Sequence, residues 1–123
     1  MKASFLAERG LCSAPAADEP DIIEPMWIGW IEFDVLLGDV HSLKEKRSIV
    51  RPLIADLRRT FAVAVAESDS LDLHRRAGIG VSVVAADSAH VIDVLDAVDN
   101  YMSGRPEIDL LSAHRGMASS HDE

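Results

Sequence analysis

The spacing of apolar residues changes repeatedly along this chain, and the order of the changes constrains the fold more than any other feature. From Ile28 to Leu37 the chain alternates, with Ile31, Phe33, Val35 and Leu37 on one side, which predicts a strand with one buried face. Helical and alternating spacings then follow in turn, over residues 43–61, 62–67, 77–86, 88–102 and 108–113. Because right-handed crossovers are strongly favoured, the resulting order βαββαβ predicts a ferredoxin-like α+β fold. Its four-stranded antiparallel sheet would carry both helices on one face.

The start of the first helix is encoded by the run Ser42-Leu43-Lys44-Glu45, which has the form of a capping box. In that motif the Ser42 hydroxyl accepts a hydrogen bond from the Glu45 amide, and the Glu45 carboxylate accepts one from the Ser42 amide. Pro52 removes one helical donor, but it projects away from the apolar side. We therefore expect one helix with a kink on its solvent side. Gly104 is placed to close the second helix in a left-handed conformation.

Composition divides the chain into three parts. Residues 1–25 contain three prolines among Ala, Asp and Glu and show no apolar period, which predicts a disordered extension. The domain is expected to span residues 26–115, with Met26 as the natural start, and residues 116–123 are expected to form a flexible tail. The single cysteine excludes an internal disulfide, and no apolar run approaches the ~20 residues of a membrane span. These features predict a cytoplasmic protein without a membrane partner.

The charge is unevenly distributed. The net charge of −9 argues against nucleic-acid binding by the chain as a whole. However, residues 41–61 hold six bases and two acids, a local charge of +4, whereas residues 88–102 hold three acids and no Lys or Arg. On the first helix five bases fall on an arc beside the apolar side: Lys44, Arg47, Arg51, Arg58 and Arg59. Such an arc can follow a phosphate backbone, so we hypothesise contact with RNA or the ribosome. The alternatives are a solvated face and neutralisation by the acidic second helix.

The sheet face opposite the helices offers a different kind of surface. RNA-recognition domains of this topology stack bases on aromatic residues there, but here Glu32 and Asp34 would repel phosphates. The remaining outward positions combine one aromatic residue with small ones: Trp30, Gly78, Gly80 and Ser82. They permit close approach of a second copy in a homodimer or of a small ligand. The alternative is an ordinary solvent face.

We find no catalytic constellation, no glycine-rich phosphate loop and no helical histidine pair in the sequence, and we expect neither enzymatic activity nor a cofactor. Glu67, Asp69 and Asp72 could collect a divalent cation, but loop carboxylates usually contact water, so no metal site is predicted. Lys46 projects toward the apolar side of the first helix. We expect its stem to follow the core edge with the amine in water. The alternative is an ion pair with Glu67 or Asp72.

Four short segments resemble the YlxP-like proteins, small bacterial proteins that carry a domain of unknown function. They are the runs at residues 41–47 (HSLKEKR), 65–67 (VAE), 72–73 (DL) and 76–77 (RA). The resemblance extends from about residue 26 to 114 and implies a ferredoxin-like fold. The genes of that family often lie beside those of transcription and translation factors, including an initiation factor and a ribosome-binding factor, which implies a setting but no activity.

The chain departs from this family at one place. Relatives often carry Gly-His-Gln-Asp after the second strand, where this sequence has Asp69-Ser70-Leu71-Asp72. A role that depends on that histidine or glutamine therefore does not transfer to this chain.

Overall fold

The computed structural model describes residues 24–68, 73 and 75–121, and its elements follow the predicted order. The sheet has the strand order β2-β3-β1-β4, and each neighbouring pair is antiparallel. The ferredoxin-like α+β prediction is confirmed. The elements are β1 (Trp27–Leu37), α1 (Leu43–Phe61), β2 (Ala64–Glu67), β3 (Arg76–Ala85), α2 (Ser88–Ser103) and β4 (Ile108–Ser119). Residues 1–23, where most of the predicted extension falls, lie outside the described residues.

The hydrophobic core lies between the sheet and the two helices. The inward positions of β1 are the ones that the alternation predicts, and they are almost inaccessible: Ile31, Phe33, Val35 and Leu37. Both helices contribute aliphatic side chains at helical spacing: Val50, Leu53 and Leu57 from α1, and Val91, Leu95 and Val98 from α2. Complete burial of one such side chain stabilises the fold by roughly 1.5–3 kcal/mol. Because the core buries one side of α1, the opposite side of that helix faces solvent.

Capping interactions define the start of α1. Ser42 has an extended backbone, and its Oγ accepts a hydrogen bond from the Glu45 amide at 3.1 Å. The Glu45 carboxylate accepts the amide of His41 at 2.6 Å, one residue before the predicted partner. The helix continues through Pro52, as expected, and ends at Phe61; the next residue, Ala62, caps it in the left-handed conformation with φ 54°.

The second helix begins where the sequence indicates, but its end differs from the prediction. The Asp87 side chain accepts the amide of His90 at 2.8 Å and caps the helix. Gly104 has φ −93°, so the predicted left-handed closure is wrong. Its amide instead donates to the carbonyl of Asn100 at 3.2 Å and to that of Tyr101 at 3.3 Å; the second bond spans only three residues, so it tightens the last turn and needs no positive φ.

Strand β4 is six residues longer than predicted. It extends past Ala113 to Ser119, so the prediction of a flexible tail is wrong for residues 116–119. These residues show no apolar alternation, and their place in the sheet depends on backbone pairing with β1. The register shifts between Asp34 and Val35, where Leu111 is the extra residue of a β-bulge.

Candidate functional site

Three of the five arginines and lysines predicted to bind RNA lie along one groove. Arg47, Arg51 and Arg58 border a depression of about 380 Å³ on the solvent side of α1, next to β2. We call this depression the basic groove; its other lining residues are Val50, Ile54, Ala55 and Glu67. The groove thus has an apolar floor and a cationic rim. Such a surface is suited to an anionic chain that also has apolar parts.

The two remaining predicted bases lie differently. Lys44 borders a neighbouring depression together with Arg47 and Arg51. Arg59 lines neither depression and forms an ion pair with Asp56, one turn away on the same helix. The structure therefore groups four of the five bases and separates Arg59 from them.

The bases of this region differ in how the protein itself uses them. Arg58 donates from Nη2 to the carbonyl oxygen of Val65 at 2.7 Å, which covers part of the outer edge of β2. Among the described residues, Lys44, Arg47 and Arg51 have no hydrogen-bond or ion-pair partner. Their charges face solvent and can meet an external anion.

The acidic residues of α2 pair with a different element. Arg115 of β4 places Nη1 2.9 Å from Asp96 Oδ1 and Nη2 3.5 Å from Asp99 Oδ2. The alternative in which α2 neutralises the bases of α1 is therefore not supported by these pairs. In these pairs the carboxylates of Asp96 and Asp99 face Arg115 and not the arginines of the basic groove.

Lys46 is the side chain whose environment the sequence interpretation got wrong. It is only 2% exposed, and its Nζ lies 2.9 Å from Glu67 Oε2 and 2.7 Å from the carbonyl oxygen of Leu73. The expected solvent-directed amine is wrong, and the alternative ion pair with Glu67 is correct. The available signal was a charge inside the apolar arc, since a buried ammonium requires a partner. The other candidate cation ligands, Asp69 and Asp72, lie outside the described residues.

A hollow of about 300 Å³ lies on the open face of the sheet, with Trp30 as one wall. The indole lies against Gly116 of β4, where a Cβ atom would be 2.3 Å from the Trp30 Cζ2 atom. The remaining lining residues include Glu32 and four small residues of β2 and β3: Ala64, Ala66, Gly80 and Ser82. Gly78, predicted for the same face, lies instead in an adjacent and more polar hollow with Glu32 and Asp34.

Asp34, which lines the polar hollow, forms an ion pair with Arg76. Arg76 Nε donates to Asp34 Oδ1 at 3.0 Å, and this hydrogen bond holds the pKa of Asp34 below its usual value of 3.8. Glu32 lies beside this pair, so the open face remains acidic. This charge distribution disfavours phosphate binding there.

The described part of the chain contains neither a metal-binding cluster nor a membrane-spanning helix. Residues 24–68, 73 and 75–121 contain no group of three or more His, Cys, Asp or Glu side chains arranged to hold a metal ion. Within the same residues, neither helix is long and apolar enough to cross a membrane.

Comparison with known proteins gives a family without an assigned activity. A family profile described as "Protein of unknown function (DUF503)" matches residues 28–115. The chain is also similar to "Uncharacterized protein YlxP" of Bacillus subtilis (strain 168), with 27% identity over 82 residues. That match covers 67% of this chain and 89% of the relative.

Proposed function

The chain belongs to DUF503, a family of proteins of unknown function, and we propose that it is a non-enzymatic accessory protein that binds RNA or the ribosome through the basic groove of α1. The observation that carries this proposal is that Arg47 and Arg51 border the groove and have no hydrogen-bond or ion-pair partner among the described residues. Unpaired guanidinium groups on a rigid helix are suited to phosphate, which they bind through two parallel hydrogen bonds. A cytoplasmic location follows from this proposal.

The spacing of the arginines supports a chain-like anion. Arg47 and Arg51 are one helical turn apart, about 6 Å along the axis, and Arg58 follows about 10 Å further on. Successive phosphates of one RNA strand could meet these side chains in order. The apolar floor, with buried Val50 and half-buried Ile54, would accommodate sugar or base surface between the phosphates.

The test replaces Arg47, Arg51 and Arg58 together with Gln. We expect weaker association with a short single-stranded RNA and with ribosomal particles at low salt, measured by fluorescence anisotropy and by co-sedimentation. The slope of log K against log salt should fall by up to ~0.7 for each lost phosphate contact. Unchanged affinity with an unchanged slope would contradict the proposal.

A matched control removes the same charge elsewhere on the domain. Arg75, Arg105 and Arg115 each have a partner within the protein, namely the Gly38 carbonyl, Glu107, and the α2 carboxylates. Replacing these three with Gln changes the net charge equally but leaves the groove intact. The salt slope of this control should remain near that of the parent.

The hollow beside Trp30 supports a second candidate function. Its wall of indole and its floor of small residues could receive a second copy of the chain or a small ligand, which would make the protein a homodimeric regulatory or ligand-binding module. Sedimentation equilibrium of the parent chain measures its oligomeric state. A stable dimer that shows no RNA affinity in the anisotropy experiment would favour the dimer or ligand-binding function over RNA binding.

A further inference from the structure

The chain itself contains a segment whose charge is complementary to the basic groove. Residues 18–24, Asp-Glu-Pro-Asp-Ile-Ile-Glu, hold four carboxylates and no base. The groove has two guanidinium groups, those of Arg47 and Arg51, that no described residue engages. The segment also contains Ile22 and Ile23, two apolar residues that match the apolar floor of the groove.

The start of β1, which this segment precedes in the sequence, lies at the same end of the sheet as the Arg58 end of the groove. β1 starts at Trp27, opposite Ala85 at the end of β3, and α1 ends at Phe61 just before β2 starts. Because α1 runs back from the end of β1, Arg58 lies at the same end of the sheet as the start of β1. Glu24 is exposed and precedes Trp27 by three residues, so it leads into the sheet at the end where Arg58 lies.

The length of the segment is sufficient for it to reach the groove. Two strand spacings, about 10 Å, separate β1 from β2, and the helix layer adds a distance comparable with the helix diameter of about 10 Å. Six residues from Glu24 back to Asp18 extend to about 20 Å. The carboxylates can thus reach Arg58 and Arg51 without any change in the domain.

We propose that residues 18–24 occupy the basic groove of α1 in the free protein and compete there with an external polyanion. The contact is electrostatic, so it should be weak and sensitive to salt. Because the segment is tethered, its effective concentration at the groove is in the mM range, enough to hold a weak contact. That an RNA is the displaced polyanion rests on the proposed function; the intramolecular contact does not.

The contact is tested in the full chain with a spin label on Cys12, the only cysteine of the sequence and six residues before Asp18. At low salt we expect paramagnetic broadening of amide signals along the groove side of α1. Broadening should disappear in ~1 M salt, where the Debye length is ~3 Å. It should also disappear when Arg47 and Arg51 are replaced with Gln. Absence of broadening at low salt, or broadening that persists in both conditions, overturns the proposal.

Competition is measured separately with a short single-stranded RNA. Replacing Asp18, Glu19 and Asp21 with their amides should raise RNA affinity roughly threefold or more at low salt. The control replaces three exposed acids outside the segment, Asp39, Asp93 and Asp109, and should raise it less. Broadening in a protein that does not bind RNA would support the contact and contradict the RNA function. If broadening is absent and the two variants bind RNA with equal affinity, the contact is contradicted and the RNA function is not.

Discussion

Lys46 connects the start of α1 to the end of β2 and to the chain just beyond it. Its ammonium is buried against Glu67, whose side chain is 24% exposed, and against the carbonyl oxygen of Leu73. A buried charge is tolerated only with such partners, because its desolvation would otherwise cost several kcal/mol. The Lys46–Glu67 pair is therefore needed to compensate the buried charge, and it also holds Glu67 at the wall of the basic groove.

We expect the Lys46–Glu67 pair to be energetically coupled. Lys46→Met and Glu67→Gln should each lower the free energy of unfolding by about 1–3 kcal/mol, with a coupling of ~1 kcal/mol or more in a double-mutant cycle. Urea denaturation of the four proteins measures both quantities. The matched control is the exposed pair Arg59–Asp56, for which coupling should stay below ~1 kcal/mol. Strict additivity at Lys46 and Glu67 would show that the ion pair has no energetic role.

Asp34 gives the fold a predictable dependence on acid. Its pKa in the folded chain is lowered from 3.8, mainly by the hydrogen bond from Arg76. A lowered folded pKa stabilises the protein above the unfolded pKa, and this contribution is lost as pH falls through the folded pKa. The Asp34→Asn variant should therefore have a lower free energy of unfolding than the parent at neutral pH. Between about pH 5 and pH 2 its free energy of unfolding should fall less than that of the parent. Thermal melts across that range measure it, and parallel curves for parent and variant would contradict the assignment.

The sequence predicts which side of an element a side chain lies on better than it predicts the partner that the side chain contacts. Alternation places Ile31 and Phe33 inward because a strand has a fixed period of two. The partner of Lys46 depends instead on where β2 ends relative to α1, which no local pattern encodes. Arg58 is a similar case, since its bond to the Val65 carbonyl requires the edge of β2 to lie beside it.

At the scale of the elements, two glycines of the sheet differ in how closely neighbouring atoms pack against them. Gly29 of β1 lies beneath α2, and a Cβ atom there would be 2.3 Å from Val91 Cγ1 and 3.0 Å from Leu95 Cδ1. Gly80 of β3 faces the open hollow, where the nearest atom to a Cβ would be the Ala66 carbonyl oxygen at 3.9 Å. The sequence alone presents both as glycines that weaken a strand.

Alanine at these two positions should therefore separate packing from strand propensity. Gly29→Ala should lower the free energy of unfolding by about 1–3 kcal/mol through overpacking against α2. Gly80→Ala should leave it unchanged or raise it by up to about 1 kcal/mol, since glycine is unfavourable in a strand. Chemical denaturation of the two variants is the measurement, and Gly80 is the control for Gly29. Equal effects would mean that α2 does not press on the start of β1.

The length of β4 shows where element prediction from sequence reaches its limit. Its second half is held by pairing with β1 and contributes Arg115 to the carboxylates of α2, not an apolar row. Helix α1, by contrast, was predictable because a capping box and a continuous apolar arc coincide there. Elements stabilised by their own apolar pattern are visible in the sequence, and those stabilised by backbone pairing are not.

At the scale of the whole molecule, charge is separated between surfaces. The basic groove lies on the outer side of α1, whereas the open sheet face has Glu32 and Asp34, and α2 has Asp96 and Asp99. A net charge of −9 therefore hides a local positive surface. Long-range repulsion by the rest of the chain would orient an approaching polyanion toward the groove.

The last prediction concerns which part of the chain the fold requires. Among the described residues, which start at Glu24, Met26 has two hydrogen bonds that tie it to the domain: its amide donates to Ser120 Oγ at 3.0 Å, and its carbonyl accepts the Ser120 amide at 2.8 Å. A chain that starts at Met26 keeps both bonds, and we expect its free energy of unfolding to stay within ~1 kcal/mol of the parent. A second truncation that starts at Ile28 loses these bonds and the half-buried Trp27, so it should melt at a lower temperature. Circular dichroism melts compare the three proteins, and a large loss of stability already in the chain from Met26 would mean that residues 1–25 are part of the folded unit.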